Sequence, residues 1–270
     1  MHPILFEFKI GNFPIAIRYY GLMYVVAIVV GIFLTRYEAK RKQLNLTLDD
    51  ILDFVLWAVP AGIVGARLYY VLFQWEDFSY DWTEIFKIWH GGLAIHGGLI
   101  GGAMALLIVS KVKRVSFWQV ADAMAPSLVL GQALGRFGNF MNGDAYGTPT
   151  HLPWGLRFPF NSPAGSAYPD KDNPAWSVPL HPAMLYELIG NLIIFGLLWW
   201  LRKRHFKDGF ISSLYLILYS LLRFFVEVFR GDSLMLGPFR AAQVISVLII
   251  AAFGWLILQL RLYQRAQTGV

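Results

Sequence analysis

The chain has 270 residues, of which 57% are hydrophobic, 16% aromatic and only 15% charged, with a mean hydropathy of +0.51. Soluble domains carry about 45–50% apolar and about 25% charged residues, so this composition excludes a soluble globular enzyme and a disordered chain. The net charge of +6 does not indicate a nucleic-acid partner, because the basic residues form short runs between apolar stretches, where they set membrane orientation.

A membrane-crossing helix needs roughly 20 apolar residues at about 1.5 Å each. Seven stretches meet this, near 15–34, 51–73, 93–110, 117–134, 182–201, 210–229 and 240–260. The third and fourth are interrupted by glycines, Asp122 and Pro126. The runs are continuous and lack the lumen-and-lipid alternation of a barrel, which predicts helices. The first run is followed, not preceded, by its basic cluster, so it does not read as a cleaved signal. Residues 74–92 carry Trp75, Trp82 and Trp89 among acidic residues, as in an interfacial belt. The 135–180 connection contains Pro149, Pro153, Pro159, Pro163, Pro169, Pro174 and Pro179, a density that excludes another span. The prediction is an all-α polytopic membrane protein with about seven spans. It forms a single domain over residues 1–270, with a small extracytoplasmic cap from 143–180.

Arg36, Lys40, Arg41, Lys42, Lys111, Lys113, Arg114, Arg202, Lys203, Arg204, Lys207, Arg261 and Arg265 lie on one side of these spans. Lys9, Arg18, Lys87, Arg136, Arg157, Lys171, Arg230 and Arg240 lie on the other, spread over much more chain. The positive-inside rule puts the N-terminus outside and the C-terminus in the cytoplasm.

Ionisable residues within spans are functional candidates by default. Counted along the helices, Tyr20, Arg67, His96, Arg136, Asn139, His181, Tyr186, Glu187, Tyr219, Arg223 and Glu227 fall in the outer third of the bilayer. Tyr219, Arg223 and Glu227 share one face by their i, i+4, i+8 spacing. Asp122 and Asn191 lie deeper and do not fit. Bland roles compete at each position: the arginines as snorkelling side chains, Glu227 as a counter-ion, the tyrosines as belt residues, His181 as a helix cap. The glycines of His90–Gly102 fit close helix packing better than phosphate binding.

There is no HExxH, no G-x-S-x-G and no paired-Asp motif for Mg²⁺. With no cysteine in the chain, disulfides, thiolate metal sites and a cysteine nucleophile are also excluded. What remains is an arginine-rich site with one base of near-neutral pKa, His96. Arginine forks suit phosphate, and at this depth the natural phosphate belongs to a phospholipid.

Six blocks carry a further signal: YYGLMY at Tyr19–Tyr24, GARLYYVLF at Gly65–Phe73, HGGLIGG at His96–Gly102, GRFGNFMNGDAYG at Gly135–Gly147, HPAMLYE at His181–Glu187 and RFFVEVFR at Arg223–Arg230. In content and order they resemble the prolipoprotein diacylglyceryl transferases. One position departs from the family signature, which has Glu where this chain has Asp144.

The resemblance implies transfer of the diacylglyceryl group of phosphatidylglycerol to the lipobox cysteine of a preprolipoprotein, with release of glycerol phosphate, at a bacterial plasma membrane. It implies His96, Arg136, Arg223, Asn139 and Glu227 as catalytic residues. Lipid would be bound by Arg136, Arg223, Tyr20, Tyr219, Asn139, Asn142, Asp144, Gly147, Arg67 and Arg230. No cofactor or metal is expected, and no nucleic-acid partner. A thiol of pKa near 8.5 needs a base or a thiolate-stabilising site, and His96 is the candidate base. A lipid or organic-anion transporter using the same arginines is the competing reading, although no inverted repeat is visible.

Overall fold

A computed structural model describes all residues except 12, 89–91, 93, 94, 234 and 266–270, with the backbone alone at 10, 13, 14, 73, 77, 95 and 96. Trp89 of the aromatic loop, the start of the third apolar stretch and the His96 side chain therefore lie outside the described residues.

The chain is helical apart from two small hairpins. In the first, β1 (Ile4–Ile10) pairs antiparallel with β2 (Phe13–Arg18). This corrects the start of the first span, expected near residue 15, while the helical, polytopic character expected of the chain holds. The large side chains of Phe13, Ile15 and Ile17 alternate at the strand period, Pro14 disfavours helix at the residue before it, and Gly11 turns the chain at φ +61. Helix α1 (Tyr19–Arg41) starts only after the hairpin.

The remaining elements are α2 (Leu48–Phe73), α3 (Trp75–Phe78), a 3₁₀ turn (Trp82–Phe86), α4 (Ile95–Val112), α5 (Phe117–Asn142), α6 (Pro163–Ala167), α7 (Ala183–Leu201) and α8 (Phe210–Glu227). The second hairpin, β3 (Met235–Leu236) with β4 (Phe239–Arg240), leads into α9 (Ala241–Gln259). Among the described residues, α1, α2, α7, α8 and α9 are long and apolar enough to cross a membrane. Gly97–Val112 of α4 is apolar but shorter. Helix α5 has the length, at 26 residues, and carries Asp122 and Arg136 along it.

The chain divides into two compact units, Thr35–Ala123 and the remainder, Met1–Leu34 with Met124–Val270. In the Thr35–Ala123 unit, a capping box between Thr47 and Asp50 starts α2. Helices α2 and α4 meet at glycines: a Cβ on Gly65 would strike the backbone of Gly97, and one on Gly97 would strike that of Gly65. The glycine-rich stretch thus serves close helix approach. Buried Asp122 pairs with Lys42 at 3.3 Å, and Lys113 bridges Asp50 and Asp53 at 2.6 and 2.7 Å. The deep carboxylate of Asp122 therefore has its charge partner within its own unit.

In the other unit, Ala125, Val129, Ile194, Leu198, Ile211 and Tyr215 of α5, α7 and α8 form the main core. The 143–180 segment has a core of its own in which Ala145, Phe158, Ala164 and Leu180 pack with Met184. Seven prolines leave few N–H donors for a regular sheet, so isolated bridges such as Pro149–Leu180 and Pro159–Trp176 hold the segment instead. Arg157 and Asp170 form an ion pair within it, which keeps the Asp170 carboxyl below the usual carboxylate range.

Candidate functional site

Arg136, Asn139 and Asn142 recur every three residues along the last turns of α5, so they share a face. On α8, Tyr219, Arg223 and Glu227 do the same at i, i+4, i+8. Helix α7 supplies Glu187, close to its N-terminus and fully buried.

Glu187 is the centre on which the other groups converge. Arg136 Nη2 lies 2.7 Å from its Oε1, and Arg223 Nη1 lies 3.2 Å from its Oε2. The Tyr219 hydroxyl donates to Oε1 at 3.2 Å. Arg223 Nη2 also pairs with buried Glu227 at 2.7 Å. A carboxylate this deep is tolerable only when paired and hydrogen-bonded, and here two guanidiniums and a phenol supply the partners. From Arg136 the chain of bonds runs outward. Arg136 Nη1 donates to Asn139 Oδ1 at 3.0 Å, Asn139 Nδ2 to Asp144 Oδ1 at 2.7 Å, and Asn142 Nδ2 to Asp144 Oδ2 at 2.9 Å. Each guanidinium has five N–H donors, more than these partners occupy, and the arginine side chains remain 17% and 19% exposed. The cluster can therefore hold two preoriented cations and still present donors to an incoming anion.

Around this cluster the backbone is closely fitted. Gly147 donates its N–H to the His181 carbonyl at 3.0 Å and bridges Arg230. A Cβ there would meet the His181 backbone and, at 2.8 Å, the Phe229 carbonyl. Arg230 is held by Asp232 through two bonds of 2.8 and 2.7 Å. The Tyr20 ring lies against the backbone of α5 at Gly138, and its hydroxyl is 3.1 Å from that of Tyr24. His181 Nδ1 lies 3.2 Å from the Tyr186 hydroxyl, which also accepts from Trp154 Nε1 at 2.8 Å. Burial of the His181 imidazole holds its pKa below the usual histidine range. Arg240 donates to the Glu227 carbonyl and to Ser233 Oγ, pinning the end of α8.

Of the sequence-derived residues, Arg136, Asn139, Asn142, Asp144, Tyr219, Arg223 and Glu227 belong to one bonded cluster, with Tyr20, Gly147 and Arg230 in the same unit. Arg67 and His96 belong to the Thr35–Ala123 unit. Arg67 Nε donates to the Ile85 carbonyl at 2.9 Å, Nη1 to that of Gly92 at 3.1 Å and Nη2 to that of Glu84, while its guanidinium lies 4.9 Å over the Phe78 ring. The residue given no role by sequence reasoning is Glu187. The available signal was a carboxylate in the first turn and a half of an apolar span, in a chain with arginines at matching depth.

Apolar spanning helices that enclose a buried arginine–carboxylate cluster near their ends define an integral membrane protein with a polar reaction or binding site. The family model for prolipoprotein diacylglyceryl transferase matches residues 3–259, and the chain belongs to that family. It is 46% identical over 269 residues to the phosphatidylglycerol–prolipoprotein diacylglyceryl transferase of Trichormus variabilis, covering 96% of this chain and 91% of the relative. The enzymes of that name from Thermosynechococcus vestitus and Listeria welshimeri are 46% and 40% identical, over 89% and 92% of this chain and 87% of each relative.

Proposed function

We propose that this chain transfers the diacylglyceryl group of phosphatidylglycerol to the lipobox cysteine thiol of preprolipoproteins, releasing glycerol phosphate. The observation that carries the reading is the convergence of Arg136 and Arg223 on one buried carboxylate, Glu187. It holds two guanidiniums in fixed orientation, which suits a leaving group whose negative charge grows in the transition state. Shared family membership and relatives of this name support the substrates.

In this mechanism His96 takes the thiol proton. The thiolate forms a new S–C bond at the lipid glycerol carbon as the C–O bond to phosphate breaks. Arg136 and Arg223 neutralise the departing phosphate, which recovers the proton. Glu227 orients Arg223, and Asn139, set by Asp144, orients Arg136. Tyr20, Tyr219, Asn142, Gly147, Arg67 and Arg230 complete the lipid-binding set. The reading takes the chain as one catalytic domain of about seven spans in the bacterial plasma membrane. Its N-terminus is outside, the 143–180 segment forms an outer cap, and the site faces the outer leaflet.

Purified protein incubated with labelled phosphatidylglycerol and a lipobox peptide should yield lipidated peptide. Movement of lipid between leaflets without lipidated peptide would replace transfer with transport. For topology, a reporter fused after Val270 should be active only in the cytoplasm, and one inserted near Ser166 only outside. The reverse pattern would sink the orientation.

A further inference from the structure

Asn191 is fully buried, yet neither its Oδ1 nor its Nδ2 has a protein partner. Gln132 Oε1 is also buried and unpartnered, the Gln132 amide being used toward the Tyr215 hydroxyl. These residues are not scattered. Helix α5 runs toward the cap, α7 runs away from it, and α8 runs toward it again. Gln132 precedes Arg136 by four residues, Asn191 follows Glu187 by four and Tyr215 precedes Tyr219 by four. All three therefore lie one helical turn beneath the cluster on the faces that carry it.

One turn deeper again are Val129, Ile194 and Ile211, which pack together in the main core. The three helices thus stack an ionic layer, an uncharged amide layer and an apolar layer that closes the far side. Buried amides need hydrogen-bond partners, and what these amides offer is two acceptors and a donor. A carboxylate or phosphate would leave the two carbonyl oxygens unmatched; an O–H group donates to one of them and accepts from the Asn191 amide, and a diol or a water, with two protons, meets both.

We propose that Gln132 and Asn191 form a hydroxyl-binding floor beneath the Arg136–Glu187–Arg223 cluster, taking a neutral O–H ligand, either a terminal hydroxyl of the lipid's glycerol head group or a bound water. The lipid source rests on the proposed transfer activity. A phosphate held by the arginines carries two ester arms, one of which must face the thiol. The other ends in an uncharged diol, and Asn139, Asn142 and Tyr219 beside the arginines are already bonded, whereas the amides of this layer hold unpartnered atoms. The floor therefore selects the head group.

The test compares full-length wild-type protein with Asn191→Leu and Gln132→Leu on phosphatidylglycerol and on phosphatidylpropanol, whose head group lacks hydroxyls. A site that bonds a substrate hydroxyl rejects the analogue lacking it. If the floor takes the head group, wild type should favour phosphatidylglycerol by at least about tenfold. Asn191→Leu should then raise KM for that lipid alone and erase the preference. If the floor holds water, both variants should lose kcat equally on both lipids. Wild-type kinetics on both lipids in both variants would overturn the floor. A second readout needs no turnover: glycerol phosphate should raise the wild-type melting temperature more than propyl phosphate does, and Asn191→Leu should abolish that difference if the head group binds there. Should no lipidated peptide form while this shift behaves as stated, the transfer reading fails and the floor stands. A difference retained in both variants overturns the head-group assignment.

Discussion

Arg67 and Arg223 lie at similar depth when counted along their helices, and both are largely buried, yet their surroundings differ in kind. Arg67 is enclosed by the carbonyls of Glu84, Ile85 and Gly92, with Phe78 against its guanidinium. Through these contacts the cation serves as a clasp for the loop that follows α2. Arg223 and Arg136 instead share Glu187, and each has a further side-chain partner. Backbone carbonyls fix an arginine to its own fold, whereas a shared carboxylate fixes it relative to another arginine. Only the second arrangement builds a constellation whose geometry can match a phosphate.

The largest expected effect tests that distinction directly. Arg136→Lys and Arg223→Lys retain charge but lose the planar fork, and each should lower kcat by roughly 10²–10³-fold while the protein still inserts. Near-normal turnover in both would reduce these arginines to the status of Arg67.

Next comes Glu187→Gln. It keeps the shape but removes the carboxylate that the two guanidiniums share, leaving Glu227 to Arg223 and Asn139 to Arg136, and breaking a buried pair costs about 3–5 kcal/mol. The melting temperature in detergent should fall sharply, and activity with it. Unchanged stability would mean that Glu187 does not organise the cluster.

Arg67→Lys should behave oppositely to the site variants. A hydrogen bond from a charged donor contributes about 1.5–3 kcal/mol, and lysine cannot replace the fork that reaches several carbonyls. Thermal stability and protection of the 75–88 segment from proteolysis should drop and KM for phosphatidylglycerol should rise, with kcat per folded molecule nearly kept. A kcat loss like that of Arg136→Lys would erase the contrast between the two regions.

The smallest effect concerns His181, next to the site. Its folded-state pKa is lowered by burial, so the neutral form is favoured and the unfolded chain binds more protons at mildly acidic pH. Its contribution to stability is therefore fully present above the unfolded value of about 6.5 and is lost as pH falls below it toward the folded value. Melting curves between pH 5 and 8 should show a shallower acid-side decline in His181→Gln than in wild type. Identical slopes would show that burial does not affect this imidazole's titration.

Much of this was legible in one dimension. Hydropathy over runs of about 20 residues reports spanning helices directly, because lipid offers no partner for bare backbone groups. The i, i+4, i+8 spacing of Tyr219, Arg223 and Glu227 is local, so their shared face was readable as well. The first hairpin was not, because an apolar segment of six residues satisfies hydropathy as helix or strand, and only pairing with Ile4–Ile10 decides between them. The 143–180 segment was legible as non-helical from its prolines, but its core around Phe158 was not.

Composition, the long apolar helices, the motif blocks and the residue types of the cluster were thus determined by the sequence itself, since each follows from local spacing and solvent preference. The tertiary structure alone decided which charge meets which. It assigned Glu187 to two arginines from different helices, Asp122 to Lys42 across the Thr35–Ala123 unit, and Arg67 to backbone carbonyls. Ion pairing between residues 36 to 80 positions apart depends on helix packing, and no local pattern encodes the partner.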